Sequence, residues 1–194
     1  MRYVLDFDEV IFNTTALKQK MHELGIPESE RGLEVFERLA EADPEFDFAE
    51  LVYPSARRFI ETHGDNISVI SSAFSVTTEN NTDEEKQLEF QREKIRRTGI
   101  GSFVDPKQIH VVGAEKSEML AALQQQFGDE LVFVDDQERY LQEANELGIT
   151  SIWMDHNQKS SIENKGGVLK TPNFPRVGSF DEIHQVIASW ENKS

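Results

Sequence analysis

Short apolar runs alternate with amphipathic helical patterns along most of this chain, and no other feature constrains the fold as strongly. The clear apolar runs, which we interpret as buried strands, are Tyr3–Leu5, Ile67–Ile70, Leu131–Val134 and Ile149–Met154. Weaker strand candidates are Ile109–Val112 and Gly167–Leu169. Apolar residues recur every three to four positions over about 54–63, 83–98, 116–127, 138–147 and 180–191. This alternation predicts βαβ units, and therefore an α/β fold: a Rossmann-like three-layer sandwich with a mainly parallel sheet.

One segment departs from the alternation. Residues 15–52 contain two helical patterns, at about 15–24 and 29–42, and follow the first strand directly. The span exceeds one crossover helix, so we interpret it as a small helical cap insertion; the alternative is an ordinary long crossover. The predicted division is a core of residues 1–14 and 53–194 with a cap of residues 15–52.

Composition excludes several classes of function. The chain has no cysteine, which excludes disulfides, thiolate catalysis and cysteine-ligated zinc. Its formal net charge is −16, from 20 basic and 36 acidic residues, which argues against a nucleic-acid-binding surface. No charged-then-apolar leader precedes the first strand, and no apolar run approaches membrane-spanning length. We therefore expect a cytoplasmic protein that binds neither nucleic acid nor membrane.

Two carboxylates one residue apart, Asp6 and Asp8, end the first apolar run. Carboxylates placed together repel, so they require a compensating cation or a shared proton. Their chemistry is therefore metal binding or the combination of a nucleophile and a general acid/base. The alternative is a polar strand end or two turn residues.

Polar side chains also follow the other predicted strands. They are Ser71 and Ser72, Lys116, and the pair Asp135 and Asp136. Each has an ordinary explanation, as a helix cap, a solvated lysine or an acidic helix start. A parallel sheet, however, binds ligands outside the carboxyl ends of its strands, where these groups should converge. Carboxylates, a hydroxyl and an ammonium together suit phosphoryl transfer with Mg²⁺.

With these motifs the chain resembles the haloacid dehalogenase (HAD) superfamily of aspartate-nucleophile phosphohydrolases over about residues 3–155. The stretch Asp6-Phe7-Asp8-Glu9-Val10 is similar to the family's first motif, and Ser71 lies where the family has Ser or Thr after the second strand. Lys116 lies at the basic position of the third motif, and Asp135-Asp136 matches the terminal acidic motif. Each match alone is weak, but the four occur in the family's order.

The resemblance implies a role for each matching residue. Asp6 would attack phosphorus and bind Mg²⁺, and Asp8 would act as general acid and then base, with its backbone carbonyl on the metal. Ser71, with Ser72 beside it, would hold the phosphoryl oxygens, and Lys116 would offset charge between Asp6 and the phosphate. Asp136 would be the main remaining metal ligand, with Asp135 ligating directly or through water.

The predicted function is therefore Mg²⁺-dependent hydrolysis of a small phosphate monoester through an aspartyl-phosphate. The alternatives are a non-catalytic phosphate- or metal-binding regulatory protein, and phosphomutase or dehalogenase chemistry on the same scaffold. Two departures from the family pattern stand out. Many family phosphatases have Gly where this chain has Glu9, a surface or selectivity residue, and the cap is short. Neither the natural substrate nor the oligomeric state follows from the sequence.

Overall fold

A single parallel sheet organises the molecule. The structure, a computed structural model, describes residues 1–27, 30, 32–73, 84–156 and 174–191. Six strands lie in the order β3-β2-β1-β4-β5-β6, and every pairing is parallel. They are β1 (Arg2–Asp6), β2 (Ile67–Ser72), β3 (Ile109–Val112), β4 (Leu131–Asp135), β5 (Thr150–Met154) and β6 (Arg176–Val177). The predicted α/β parallel sheet is confirmed.

Seven helices accompany the strands in the described part of the chain. They are α1 (Thr14–Glu23), α2 (Glu34–Ala42), α3 (Pro54–His63), α4 (Glu84–Arg97), α5 (Ser117–Phe127), α6 (Glu138–Glu146) and α7 (Ile183–Glu191). The five core helices lie where the apolar spacing predicted them, although α7 is preceded by a 3₁₀ turn, Phe180–Glu182. The helix predicted from residue 29 begins at Glu34, and β6 was not predicted. The predicted strand Gly167–Leu169 lies outside the described residues.

Alternating side chains of the strands form two hydrophobic clusters, one on each face of the sheet. Leu5, Val69 and Val134 belong to the cluster that contains apolar residues of α3, α4 and α7. Val4, Ile70 and Phe133 belong to the cluster of α5 and α6. Successive strand residues point to opposite faces, so strands buried on both faces are continuous apolar runs in the sequence. The outcome is the three-layer sandwich that the sequence predicted.

The segment 15–52 packs into the first of these clusters. Phe36 of α2 stacks on Phe90 of α4 with ring centroids 5.0 Å apart, and the Arg97 guanidinium lies 4.8 Å from the Phe36 ring centre. Leu17, Met21 and Leu39 are buried in the same cluster. The segment thus contacts the core through apolar surface, while its division from the core as a cap stays a prediction. None of the helices in the described ranges is long and apolar enough to cross a membrane.

The glycine that follows α3 lies close to another part of the backbone, and this contact can be tested. A Cβ on Gly64 would overlap the carbonyl oxygen of Phe103, whereas a Cβ on Gly101 would have no neighbour within 4 Å. We expect Gly64→Ala to lower the free energy of unfolding by about 1–3 kcal/mol, as overpacking does. Gly101→Ala, the matched control, should change it by no more than about 0.5 kcal/mol. Urea unfolding measures both, and equal effects would contradict the close approach of Gly64 to Phe103.

Candidate active site

The topology brings the predicted residues to one edge of the sheet. Asp6 is the last residue of β1, and Asp135 is the last residue of β4. Ser71 lies near the end of β2, and β1 runs between β2 and β4. The carboxyl ends of these three neighbouring strands therefore present two carboxylates and a hydroxyl side by side, as parallel pairing requires.

A buried ammonium joins two of the carboxylates. Lys116, at the N-terminus of α5, is 1% exposed and donates to Asp6 Oδ1 at 2.6 Å and to Asp135 Oδ2 at 2.7 Å. Burial disfavours the ammonium, but Asp135 and Asp6 raise the pKa of Lys116 above its usual value. The lysine therefore stays charged at neutral pH. Burial also raises the pKa of Asp6 well above its usual value, against the opposing effect of Lys116.

A third carboxylate completes a potential metal centre. One ligand oxygen from each of Asp6, Asp135 and Asp136 lies within 4.8 Å of the others. Asp136 Oδ1 is buried and has no hydrogen-bond partner among the described residues. Burial, followed by the Asp135 carboxylate, raises the pKa of Asp136 to about 7. Three carboxylates around one ammonium leave excess negative charge, and their oxygen ligands fit a hard divalent cation such as Mg²⁺.

The Asp8 carboxylate lies outside this cluster and is held by other groups. Lys94 of α4 donates to Asp8 Oδ1 at 2.5 Å, and Gln91 Nε2 donates to Oδ2 at 2.6 Å. The hydroxyl of Thr14 also donates to Oδ1. Burial would raise the pKa of Asp8, but its ion pair and hydrogen bond with Lys94 lower it overall. Asp8 is therefore an ionised carboxylate with both oxygens bonded.

The two serines that follow the second apolar run contact different parts of the molecule. Ser71 is buried, and its Oγ accepts a hydrogen bond from Gln91 Nε2 at 2.5 Å, beside Asp8. The next residue, Ser72, has its Oγ 3.5 Å from the hydroxyl of Tyr140 on α6. The structure thus brings Ser71 to Asp8 and turns Ser72 towards α6, because successive strand residues alternate. Phosphate binding by either serine stays a prediction.

Sequence reasoning missed three residues of this site: Gln91, Lys94 and Thr14. Gln91 and Lys94 are three positions apart on α4 and are both 4% exposed. A signal was present, because both occur on the side of the helix that also buries Phe90 and Ile95. Most other residues of α4 are charged, so this signal is difficult to recognise in the sequence.

A cavity of about 650 Å³ lies elsewhere, at the edge of the sheet beside β3. Its walls include Arg92, Arg96, Ile109 and His110, and none of the predicted site residues lines it. Its lining offers no carboxylate that could act as a nucleophile or bind a metal. The reactive groups therefore belong to the strand ends.

Comparison with known proteins bears on the fold. A scan against protein-family models and a search of curated proteins both give no match. Among solved structures, a haloacid dehalogenase-like hydrolase from Burkholderia xenovorans LB400 superposes with a TM-score of 0.62 at 17% identity, covering 97% of this chain and 96% of that one. The chain has the HAD fold. A haloacid dehalogenase-like family hydrolase from Xanthomonas campestris gives 0.57 at 11% identity, covering 100% and 97%, and a dehalogenase gives 0.56 at 13%, covering 95% and 96%.

Glu9, which departs from the sequence pattern noted above, has a backbone conformation that ordinarily favours glycine. Its φ of 58° is in the left-handed region, which favours glycine. The Glu9 carboxylate accepts hydrogen bonds from the backbone N–H and hydroxyl of Thr15, at 2.7 and 2.8 Å, and from Tyr53 at 3.1 Å. Burial, with the Glu9 charge, raises the pKa of Tyr53, which keeps its hydroxyl a donor. Glu9 thus caps α1 and joins it to the start of α3.

Because the three carboxylates carry excess negative charge, we expect a substitution of Asp136 to change the stability of the metal-free protein. Because its pKa rises from 3.8 to about 7 on folding, ionisation of Asp136 costs the metal-free protein stability progressively as pH rises through that range. At pH 8, Asp136→Asn should raise the melting temperature of the metal-free protein by about 2–4 °C, or about 1 kcal/mol. The gain should shrink at pH 5, and Mg²⁺ should stabilise the wild type more than the variant. Equal gains at both pH values would contradict this.

The backbone of Glu9 predicts an order between two substitutions. Glu9→Gly and Glu9→Ala both remove the bonds to Thr15 and Tyr53. Only alanine keeps the left-handed strain, so Glu9→Gly should be more stable than Glu9→Ala by about 1 kcal/mol in urea unfolding. An alanine variant as stable as the glycine variant would show that the φ of this residue is not positive in solution.

Proposed function

We propose that this protein is a Mg²⁺-dependent phosphohydrolase that cleaves a small phosphate monoester through an aspartyl-phosphate on Asp6. The observation that carries the proposal is the group of three carboxylates, the buried Asp6 and Asp135 with the half-buried Asp136, beside the single ammonium of Lys116. A buried excess of negative charge is unfavourable unless a cation balances it. A phosphohydrolase of the HAD fold uses such a cation together with a carboxylate nucleophile.

Lys116 and a bound cation would both favour the ionised form of Asp6, which nucleophilic attack requires. Lys116 fixes Asp6 Oδ1 at 2.6 Å, so the carboxylate is oriented before substrate arrives. The same ammonium, which is bonded to Asp6 and Asp135, would also offset the charge of a phosphoryl group brought to Asp6. Attack by an Asp6 oxygen on phosphorus breaks the bond to the leaving-group oxygen and gives an aspartyl-phosphate.

The acidic oxygens would hold the metal. Asp6, Asp135 and Asp136 offer one oxygen each, and the unpartnered Oδ1 of Asp136 would gain a partner. When bound, Mg²⁺ would neutralise phosphoryl charge and orient the ester. Asp135 already accepts hydrogen bonds on both oxygens, from Lys116 and from the backbone N–H of Gln137 at 2.8 Å. It would therefore share an engaged oxygen with the metal or act through a water molecule.

Asp8 would transfer protons. Hydrolysis of the aspartyl-phosphate needs a base for water, and Asp8, ionised beside Lys94, has the required form. Donation to the leaving group would require Asp8 first to take up a proton. The arrangement therefore supports its role as base more directly than its role as acid.

The rival functions differ in what they require of the acidic residues. A dehalogenase needs no Mg²⁺, so the unpartnered Asp136 and its neighbours would have no purpose there. A regulatory binding protein would not need both a nucleophile and a positioned base. A phosphomutase would use the same residues, and only its products distinguish it. We also propose that the substrate is a small phosphorylated molecule and that the protein is cytoplasmic.

Hydrolysis of para-nitrophenyl phosphate tests the proposal. We expect turnover with Mg²⁺ that stops on addition of EDTA. Asp6→Asn should lower kcat by about 10³-fold or more, because it removes the nucleophile. Asp129→Asn, an exposed acid far from the cluster, is the matched control and should leave the rate unchanged.

Two outcomes would overturn parts of this proposal. Turnover that persists in Asp6→Asn would remove Asp6 as the nucleophile. A wild-type protein inactive on a broad panel of phosphate esters, yet stabilised by Mg²⁺ and inorganic phosphate, would favour the regulatory binding protein.

A further inference from the structure

Helix α4 presents two buried polar side chains to the site, Gln91 and Lys94. Burying a lysine and an amide is unfavourable unless each finds strong partners. Neither residue belongs to the motifs that predicted the site, yet both bond to Asp8. Helix packing alone therefore does not account for their placement.

Lys94 is confined to one carboxylate. Its Nζ lies 2.5 Å from Asp8 Oδ1 and 5.5 Å from the ring centres of Phe7 and Phe12, with Phe90 at 5.9 Å. The aromatic faces attract the ammonium and offer it no anionic partner. A long, flexible side chain is thus fixed with its charge on Asp8.

Gln91 links Asp8 to the serine at the end of β2. Its Nε2 donates to Asp8 Oδ2 at 2.6 Å and to Ser71 Oγ at 2.5 Å. Since Lys94 and Thr14 hold Oδ1, both oxygens of Asp8 are fixed relative to Ser71. Asp8 and the candidate phosphate-binding hydroxyl of Ser71 are therefore bonded to the same amide group.

We propose that Lys94 and Gln91 are positioning residues that orient the Asp8 carboxylate towards the water that hydrolyses the aspartyl-phosphate. This rests on the proposed function. In that step the water oxygen bonds to phosphorus, the bond from phosphorus to the Asp6 oxygen breaks, and the water proton passes to Asp8. The products are inorganic phosphate and the free Asp6 carboxylate. Asp8 must be ionised to accept this proton, and its bonds to Lys94 and Gln91 hold the ionised carboxylate in one direction.

Steady-state kinetics on para-nitrophenyl phosphate with Mg²⁺ separates the two half-reactions. The nitrophenol leaving group of this ester is stable as an anion and needs no proton from Asp8. The value of kcat/KM, which reports transfer of the phosphoryl group to Asp6, therefore depends little on Asp8. Lys94→Met keeps the length of the side chain among the phenyl rings and removes its charge. We expect kcat to fall by about 10–100-fold and KM to fall with it, leaving kcat/KM within about threefold of wild type. A burst of one equivalent of nitrophenol should appear.

The matched control is Arg92→Met, which removes an exposed cation from the same helix and should leave kcat and KM unchanged. Gln91→Leu should resemble Lys94→Met with a smaller effect. A Lys94→Met enzyme whose kcat/KM falls as much as kcat would show that Lys94 only maintains the structure. That result would overturn the proposal.

A double mutant tests whether Lys94 acts through Asp8. In an Asp8→Asn background, Lys94→Met should cause no further loss of kcat, because the group that it positions has been removed. This pair also leaves neither charge buried alone, so folding is retained. Additive losses would contradict a positioning role.

Crystal structures of the wild type and Lys94→Met provide a readout that does not depend on turnover. The Asp8 carboxylate should contact Lys94 and Gln91 in the wild type and should shift or lose order in the variant. An Asp8 carboxylate that keeps its position without Lys94 would overturn the positioning role. Should the wild type hydrolyse no ester, the proposed function fails, while this comparison still decides whether Lys94 positions Asp8.

Discussion

The ammonium of Lys116 between Asp6 and Asp135 is the interaction on which the site depends. Two carboxylates at the ends of adjacent buried strands would repel in a medium that screens charge poorly. The lysine allows both to remain within hydrogen-bonding distance of one point, at 2.6 and 2.7 Å. Without it, the β1 and β4 ends would have to move apart or take up protons.

One positive charge does not balance the cluster, and this imbalance makes the site suited to a cation. Asp136 lies next to Asp135 in the chain and brings a third carboxylate to the group, with an oxygen left unpartnered in the described structure. A fold selected for stability alone would avoid this arrangement. The local instability is consistent with a site whose charge is completed only when a cation binds.

The sequence predicted the sheet and the groups at its edge because both follow from simple rules. Buried parallel strands are continuous apolar runs, and the residues after Leu5, Ile70 and Val134 must meet once those strands are neighbours. The same rules do not reach Lys94. Its spacing from Phe90 and Ile95 is a weak signal of an inward side chain, but the other charges of α4 obscure that signal, and the packing of the helix reveals it. The φ of Glu9 is equally hidden, because glutamate carries no signal for a left-handed backbone.

Three polar residues connect the helical insertion to the strand ends. Thr14 begins α1 and bonds to Asp8, Glu9 caps the same helix, and Lys94 reaches Asp8 from the helix on which Phe36 stacks. Groups on α1 and α4 therefore hold the Asp8 carboxylate, whereas Lys116 holds Asp6 and Asp135. The proposed nucleophile is thus held by Lys116 at the strand ends and the proposed base by groups on α1 and α4, so the two halves of the proposed reaction depend on different side chains.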